Sequence, residues 1–210
     1  ITSSTQAANE NDYGISKRNG EIAAQKAASE AGFPLHIFRL PNVFGKWSRP
    51  DYNSAVATFC HNIARDKPIQ VNNPDAEITL VYVDDVVNRF LQLLDGAPPN
   101  PDVDGFEQVQ PQYTITVGAL AETIRAFKAS RDSLVTERVG QGLVRALHST
   151  YVSFLPPEEF SYTVPRHGDA RGVFVEMLKT PDCGQFSYFT AHPGITRGGH
   201  YHHSKTEKFL

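Results

Sequence analysis

Long apolar runs, excess positive charge and cysteine are all scarce in this sequence, and each scarcity excludes something. No apolar stretch approaches the ~20 residues that a membrane-spanning helix requires. The longest, around residues 78–83, suits a buried strand. Lys and Arg total 20 against 23 Asp and Glu, a formal net charge of -3, so no basic field invites nucleic acid. The two cysteines, Cys60 and Cys183, stand far apart and build neither a disulfide nor a metal framework. That fits a reducing compartment, and each reads as a buried structural thiol. Initiator methionine and signal peptide are also missing: the chain opens ITSSTQAA. This opening reads as the end of a strand begun upstream, and the ending falls inside a pattern. The chain is therefore expected to be an internal piece of a longer protein. No glycine-rich dinucleotide loop occurs either, since Gly14 and Gly20 fall within a helical stretch.

What is present alternates between strand and helix. Residues 13–31 are rich in Ala, Glu, Lys and Gln and end at Gly32 and Pro34, which predicts a helix with a stop. Strands are expected at 35–40, 68–71, 78–83 and 106–109, and helices at 53–66, 84–94 and 117–130. Asp84 or Asp85 would cap the third helix. Residues 97–105, APPNPDVDG, form a loop by composition. This rhythm predicts an α/β domain with a mainly parallel sheet. After about residue 149 helical periodicity gives way to short β-like runs at 160–164, 172–178 and 185–191. The expected division is 1–148, an α/β domain, and 149–210, the start of an all-β domain.

The first helix begins YGISK, so Tyr13 and Lys17 share a face. A phenol of pKa near ~10 is a poor acid at neutral pH unless a nearby ammonium stabilises its phenolate. With a hydroxyl from Ser3 or Ser4, such a site can hold a carbonyl oxygen while Tyr13 donates a proton. Downstream stand RLPNVFGKW and YVDDV. Together the serines, the Tyr-x-x-x-Lys pair, Arg39, Asn42, Phe44 and Gly45, and Tyr82–Val86 resemble the extended short-chain dehydrogenases/reductases that act on nucleotide sugars. The resemblance covers roughly residues 1–127 and implies the C-terminal part of a Rossmann-like domain. It makes Tyr13 the general acid and Lys17 its tuner and a binder of the nicotinamide ribose. Ser4 becomes the carbonyl-binding hydroxyl, with Ser3 as second choice. Pro41 would pass the nicotinamide and Asn42 would touch substrate. Two departures stand out. Phe44 replaces a usual Tyr, and Glu77-Ile78-Thr79 stands where an Arg often meets the nucleotide phosphate. Arg39 itself reads as structural, and His36 and His61 as ordinary polar residues.

Half of the eight histidines lie between His192 and His203. His200 and His202, two apart, share a face if extended, and Glu207 can return to meet them. Imidazole and carboxylate suit a divalent metal such as zinc. Gly194, His200, His202 and Glu207 resemble the first motif of cupin β-barrels, which implies a jelly-roll domain begun here. Residues 167–176, HGDARGVFVE, with Arg197, Gly198 and His200, also resemble nucleotide-sugar 3,5-epimerases. There the matching His is a base and the arginines, here Arg171 and Arg197, bind substrate. His200 thus carries two readings, ligand or base, and His202 in place of a usual Gln favours the metal.

Joined, the halves resemble the bifunctional enzymes of bacterial capsule synthesis that make UDP-N-acetyl-L-fucosamine precursors. That implies reduction of the C4 ketone of a UDP-4-keto-6-deoxy-HexNAc with NADPH (or NADH) and C3 epimerisation by the cupin. It further implies a bacterial cytoplasmic homodimer without nucleic-acid or membrane partners. Alternatives are a different nucleotide-sugar epimerase or ketoisomerase, or an inactive binding fragment. Thr5-Gln6, where a dehydratase wants acidic residues, argues against a dehydratase.

Overall fold

A computed structural model describes residues 1–196, 198–199, 201–204 and 206–208. Its contacts separate two units, Ile1–Lys128 with Arg138–Phe160, and Ala129–Glu137 with Ser161–Leu210.

The first unit opens with strand β1, Thr2–Ser4, a 3₁₀ turn at Thr5–Ala8 and helix α1, Asp12–Ala31. The Asn11 side chain accepts from Gly14 N at 2.8 Å and caps α1, and Gly32 ends it with φ of 69°. Strands β2, Phe38–Leu40, and β3, Asn42–Phe44, follow, then α2, Ala55–Ala64, and β4, Glu77–Tyr82. Helix α3, Val83–Leu94, strand β5, Gln112–Thr116, and helices α4, Val117–Ser133, and α5, Gly142–Val152, complete the series. β1 pairs with β2 and β3 with β4, both parallel, and β5 closes antiparallel on β4. Successive β4 residues point to opposite faces. Leu80 and Tyr82 join one core with Phe44, Phe59, Ile124 and Leu147, while Val81 joins another with Phe38, Leu40 and Val109. The α/β expectation holds.

Several local expectations do not. Residues 68–71 form no strand; Ile69 and Val71 instead pack against the core from irregular chain. Residues 106–109 are also irregular, with Val109 buried and Glu107 N donating to Ile37 O, and the strand lies six residues on as β5. α3 is not capped by an aspartate. Its N-cap is Tyr82, without a side-chain bond, and Asp84 and Asp85 occupy the first turn, where they favour the helix dipole. α5 lies across the division expected at 148/149. Leu147 and Tyr151, four apart, sink into the first core, so the helix stays whole within the first unit. Cys60 is buried as expected, whereas Cys183 is exposed in the turn before β8, where there is no interior to enter.

The second unit carries strands β6, His167–Asp169, β7, Gly172–Thr180, and β8, Gly184–Phe189, in an antiparallel meander. Leu134 and Thr136 add backbone bonds to Lys179, so residues 129–137 belong with this sheet. Residues 160–164 form no strand. Among the described residues no helix is long and apolar enough to cross a membrane.

One buried carboxylate fastens the start of the first unit. Glu21, 3% exposed, accepts from Arg39 Nε at 2.9 Å, from Arg39 Nη2 at 2.7 Å and from Ser3 Oγ at 2.5 Å. The Arg39 guanidinium also lies 3.7 Å from the Phe106 ring centroid. α1, β1 and β2 are thereby tied at one point, and Arg39 is structural. The Arg39 hydrogen bond holds the Glu21 carboxyl below its usual range, with Ser3 adding to it and burial opposing.

Glu21→Gln should lower unfolding free energy by about 3 kcal/mol at neutral pH, read by denaturant titration, because it leaves a guanidinium poorly paired. Glu21 has a lowered folded-state pKa. Its contribution is complete above the ordinary carboxylate range and disappears as pH falls through the lowered value, so the variant's deficit should shrink in acid. A second pair of variants tests the packing of α1. A Cβ on Gly14 would lie 2.3 Å from Gln6 O and 2.5 Å from Asn9 O, whereas one on Gly20 meets nothing within 4 Å. Gly20→Ala should raise stability by up to about 1 kcal/mol through helix propensity. Gly14→Ala should lower it by about 1–3 kcal/mol, because backbone atoms cannot step aside.

Candidate active site

Strand alternation sorts the two serines. Ser3 is buried and donates to Glu21, so its hydroxyl is committed to the interior. Ser4 is half-buried at the C-terminal end of β1, opposite Leu40. Its Oγ accepts from Gln6 N at 3.2 Å and starts the 3₁₀ turn. That uses a lone pair, and among the described residues no acceptor takes its hydrogen. Between the two, Ser4 is the one able to donate to a ligand oxygen.

Tyr13 stands in the first turn of α1, 47% exposed, with Lys17 one turn on. The Lys17 ammonium lies 5.6 Å from the Tyr13 ring centroid. Gly14 allows this turn to seat against the 3₁₀ segment that begins at Ser4. The strand-end serine and the tyrosine therefore belong to elements packed directly on each other. A phenol, an ammonium and a hydroxyl donor so disposed can protonate an oxygen that is gaining negative charge.

Pro41 is half-buried at the bend between β2 and β3, one residue beyond Ser4's partner. Asn42 is exposed, and its Nδ2 donates to Thr79 O at 3.0 Å, so part of its capacity holds β3 to β4. Phe44 is buried with its ring 5.4 Å from that of Tyr82. The hydroxyl missing at Phe44 would have had no aqueous face there. Tyr82 supplies its own, donating to Ser149 Oγ at 3.3 Å. A Cβ on Gly45 would fall 2.3 Å from Val83 Cγ1, and Lys46 Nζ reaches Asp84 Oδ2 at 2.8 Å. The RLPNVFG and YVDDV segments thus meet as one spot of the fold. Beside them, burial pushes the Asp85 carboxyl up, Arg145 on α5 opposes it and Asp84 reinforces it.

Sequence reasoning puts Glu21 with Asp12, Lys26 and Glu30 on a solvated face, and the structure corrects this: Glu21 is buried by its bonds to Ser3 and Arg39. Its signal was available, because Tyr13, Lys17 and Glu21 recur every four positions along one helix face. Arg145 and Ser149 lie on α5, a helix not expected from the sequence.

In the second unit, Arg171 Nε and Nη2 donate to Asp169 Oδ2 at 2.9 and 2.6 Å, and Arg171 N donates to Asp169 Oδ1 at 2.8 Å. His202 Nε2 lies 3.6 Å from Glu207 Oε2. That separation is an ordinary imidazole–carboxylate contact between two side chains of the kinds that ligate zinc. Among the described residues no group of three or more metal-ligating side chains forms. His200 and Arg197, expected as ligand or base and as substrate contact, lie outside the described residues.

Residues 1–104 match the NAD dependent epimerase/dehydratase family, and residues 167–210 the polysaccharide biosynthesis C-terminal domain. A UDP-2-acetamido-2,6-beta-L-arabino-hexul-4-ose reductase of Pseudomonas aeruginosa is 66% identical over 209 residues, which is 100% of this chain and 55% of that protein. The crystal structure of the capsular polysaccharide assembling protein CapF from Staphylococcus aureus superposes with a TM-score of 0.92 at 42% identity, covering 97% of this chain and 55% of that one. A UDP-glucuronic acid 4-epimerase from Bacillus cereus, at TM-score 0.55 and 16% identity over 73% of this chain and 60% of that one, shares the fold. The chain thus spans about half the length of the relative it matches along all its residues. Residues 1–104 are thus similar to the NAD dependent epimerase/dehydratase family, on a Rossmann-like α/β fold, and residues 167–210 to the polysaccharide biosynthesis C-terminal domain.

Proposed function

We propose that the intact protein reduces the C4 ketone of a UDP-linked 4-keto-6-deoxy-HexNAc, as the name of the Pseudomonas aeruginosa relative describes, in capsular polysaccharide synthesis. The observation that carries this reading is the seating of Tyr13 and Lys17 on α1 against the strand end that presents Ser4. A bound reduced nicotinamide dinucleotide, NADPH or NADH, supplies the hydride. Ser4 Oγ holds the ketone oxygen and Tyr13 gives its proton to that oxygen as the C–O bond loses its double-bond character. Lys17 stabilises the phenolate left behind and binds the nicotinamide ribose. Pro41 flanks the nicotinamide, and Asn42 retains its side-chain oxygen for substrate.

The second unit, the beginning of a cupin, serves the same substrate. A C4 ketone acidifies the C3–H, so a base can invert that centre, and reduction then removes the acidifying group and fixes the configuration. His200 serves there as base or as ligand, with Arg171 and Arg197 binding substrate. His202 and Glu207, with His200, would hold a divalent ion, zinc by the chemistry of the set, which would polarise a substrate oxygen. The protein works as a cytoplasmic homodimer, without nucleic acid or membrane.

The test is to follow NADPH absorbance and deuterium uptake at C3 when the intact gene product meets UDP-4-keto-6-deoxy-HexNAc in heavy water. Tyr13→Phe should lose about 10²–10⁴-fold in reduction while C3 exchange continues. Loss of both together would place the two steps in one site, and neither step in the parent would sink the reading. For the metal, His202→Ala and Glu207→Ala should each strip bound zinc, measured by elemental analysis of the purified protein. Unchanged zinc content in both would remove these residues from the ligand set.

A further inference from the structure

Residues 45–54 connect β3 to α2, and no role above uses them. Trp47 is the sole tryptophan of the chain and is 82% exposed, and Tyr52 is 77% exposed. The segment is nonetheless held firmly. At its root Gly45 abuts Val83, Lys46 is paired to Asp84, and Ser48 Oγ donates to Gly45 O at 3.1 Å. At its far end Asp51 N donates to Thr58 Oγ1 at 3.0 Å. Trp47 and Asp51 both sit in left-handed backbone, with φ of 62° and 53°, which residues bearing side chains seldom adopt. A cation accompanies each ring: Lys46 Nζ lies 5.8 Å from the Trp47 centroid and the Arg49 guanidinium 5.3 Å from that of Tyr52. Within residues 1–210 the indole buries little, so packing among these residues does not account for a large ring on a well-anchored loop. Its position says more. The loop leaves the C-terminal end of β3, and β3 continues through Pro41 from β2, whose end lies opposite Ser4. Ligands of open α/β sheets bind beyond the carboxyl ends of their strands.

We propose that Trp47 is a substrate-contact residue, its indole stacking on a flat, weakly polar face of the nucleotide sugar while Arg49 meets the diphosphate. Lys46 and Arg49 match the charge of that ligand, and aromatic rings beside cations suit a ring joined to an anion. The face is either the uracil or the deoxy-sugar ring. This inference rests on the nucleotide-sugar reading above.

Calorimetric titration of the intact gene product with UDP and with the reduced UDP-6-deoxy-HexNAc separates the possibilities. Trp47→Ala should weaken binding about tenfold, and Trp47→Phe much less. Weakening of both ligands assigns the indole to the base, and weakening of the sugar nucleotide alone assigns it to the sugar. Equal affinities for parent and Trp47→Ala would overturn the proposal while leaving the reaction intact. A parent that binds neither ligand would overturn the substrate class itself. Should Trp47→Ala lose its fold, the emission difference between parent and Trp47→Phe decides. It must shift when the sugar nucleotide is added, and constancy would overturn the proposal.

Discussion

The geometry of the candidate site rests on the Glu21 carboxylate, which lies in the interior away from Tyr13 and Ser4 Oγ. Three donors converge on it from two strands, and it rides on the same helix that carries Tyr13 and Lys17. Pulling α1 toward β1 and β2 fixes where the phenol sits relative to the strand-end hydroxyl. It also consumes Ser3, so the tandem serines divide their work. The inward one completes a buried ion pair and the outward one keeps its hydroxyl hydrogen for another acceptor. Burying a carboxylate costs solvation that only good hydrogen bonds return. Here both oxygens are bonded, one of them twice. The same device recurs at Glu107, also buried, which takes Arg89 and the Asn100 backbone N–H and so pins the loop after α3.

A second constraint is close backbone approach. Gly14 lets α1 lie on the 3₁₀ turn, and Gly45 lets the chain pass against Val83. Each glycine stands inside a signature that sequence reading takes for chemistry, the YGISK and RLPNVFG segments. Much of what makes such signatures recognisable is therefore packing. The Lys46–Asp84 pair and the Phe44–Tyr82 ring contact join segments almost forty residues apart.

How much was legible follows from the same physics. α1 was clear because a cap, a helix-forming run and a left-handed glycine stop agree. β4 was clear as a short apolar run, and β7 and β8 as apolar stretches between turns. β5 was not, because this edge strand is set by its pairing with β4 rather than by Gln112–Thr116 themselves. α5 was hidden because Gly142 opens it, Gln141 gives no side-chain cap, and its Thr150, Tyr151 and Val152 favour strands. Burial of Leu147 and Tyr151 outweighs those preferences. For the candidate site the resemblance offered Tyr13, Lys17 and Ser4, with Ser3 second; the Glu21 contact that commits Ser3 to the interior could not be read from order and spacing.

Spacing is weakest as a guide in the second unit. The Asp-x-Arg-Gly segment there is first a turn device. Asp169 caps the Arg171 backbone and grips its guanidinium, and Gly172 takes a φ of 136° as β7 begins. That arrangement does not exclude a ligand. The side chain is 64% exposed, and the bonds to Asp169 use Nε and Nη2. A guanidinium carries five N–H groups, so Nη1 can still meet an anion while Asp169 fixes its direction. An arginine held by a neighbouring carboxylate loses less side-chain freedom when a phosphate arrives than one waving in water. The turn that shapes the hairpin and the contact proposed for Arg171 are then one structure serving two ends, as at Ser3 and Ser4 in the first unit.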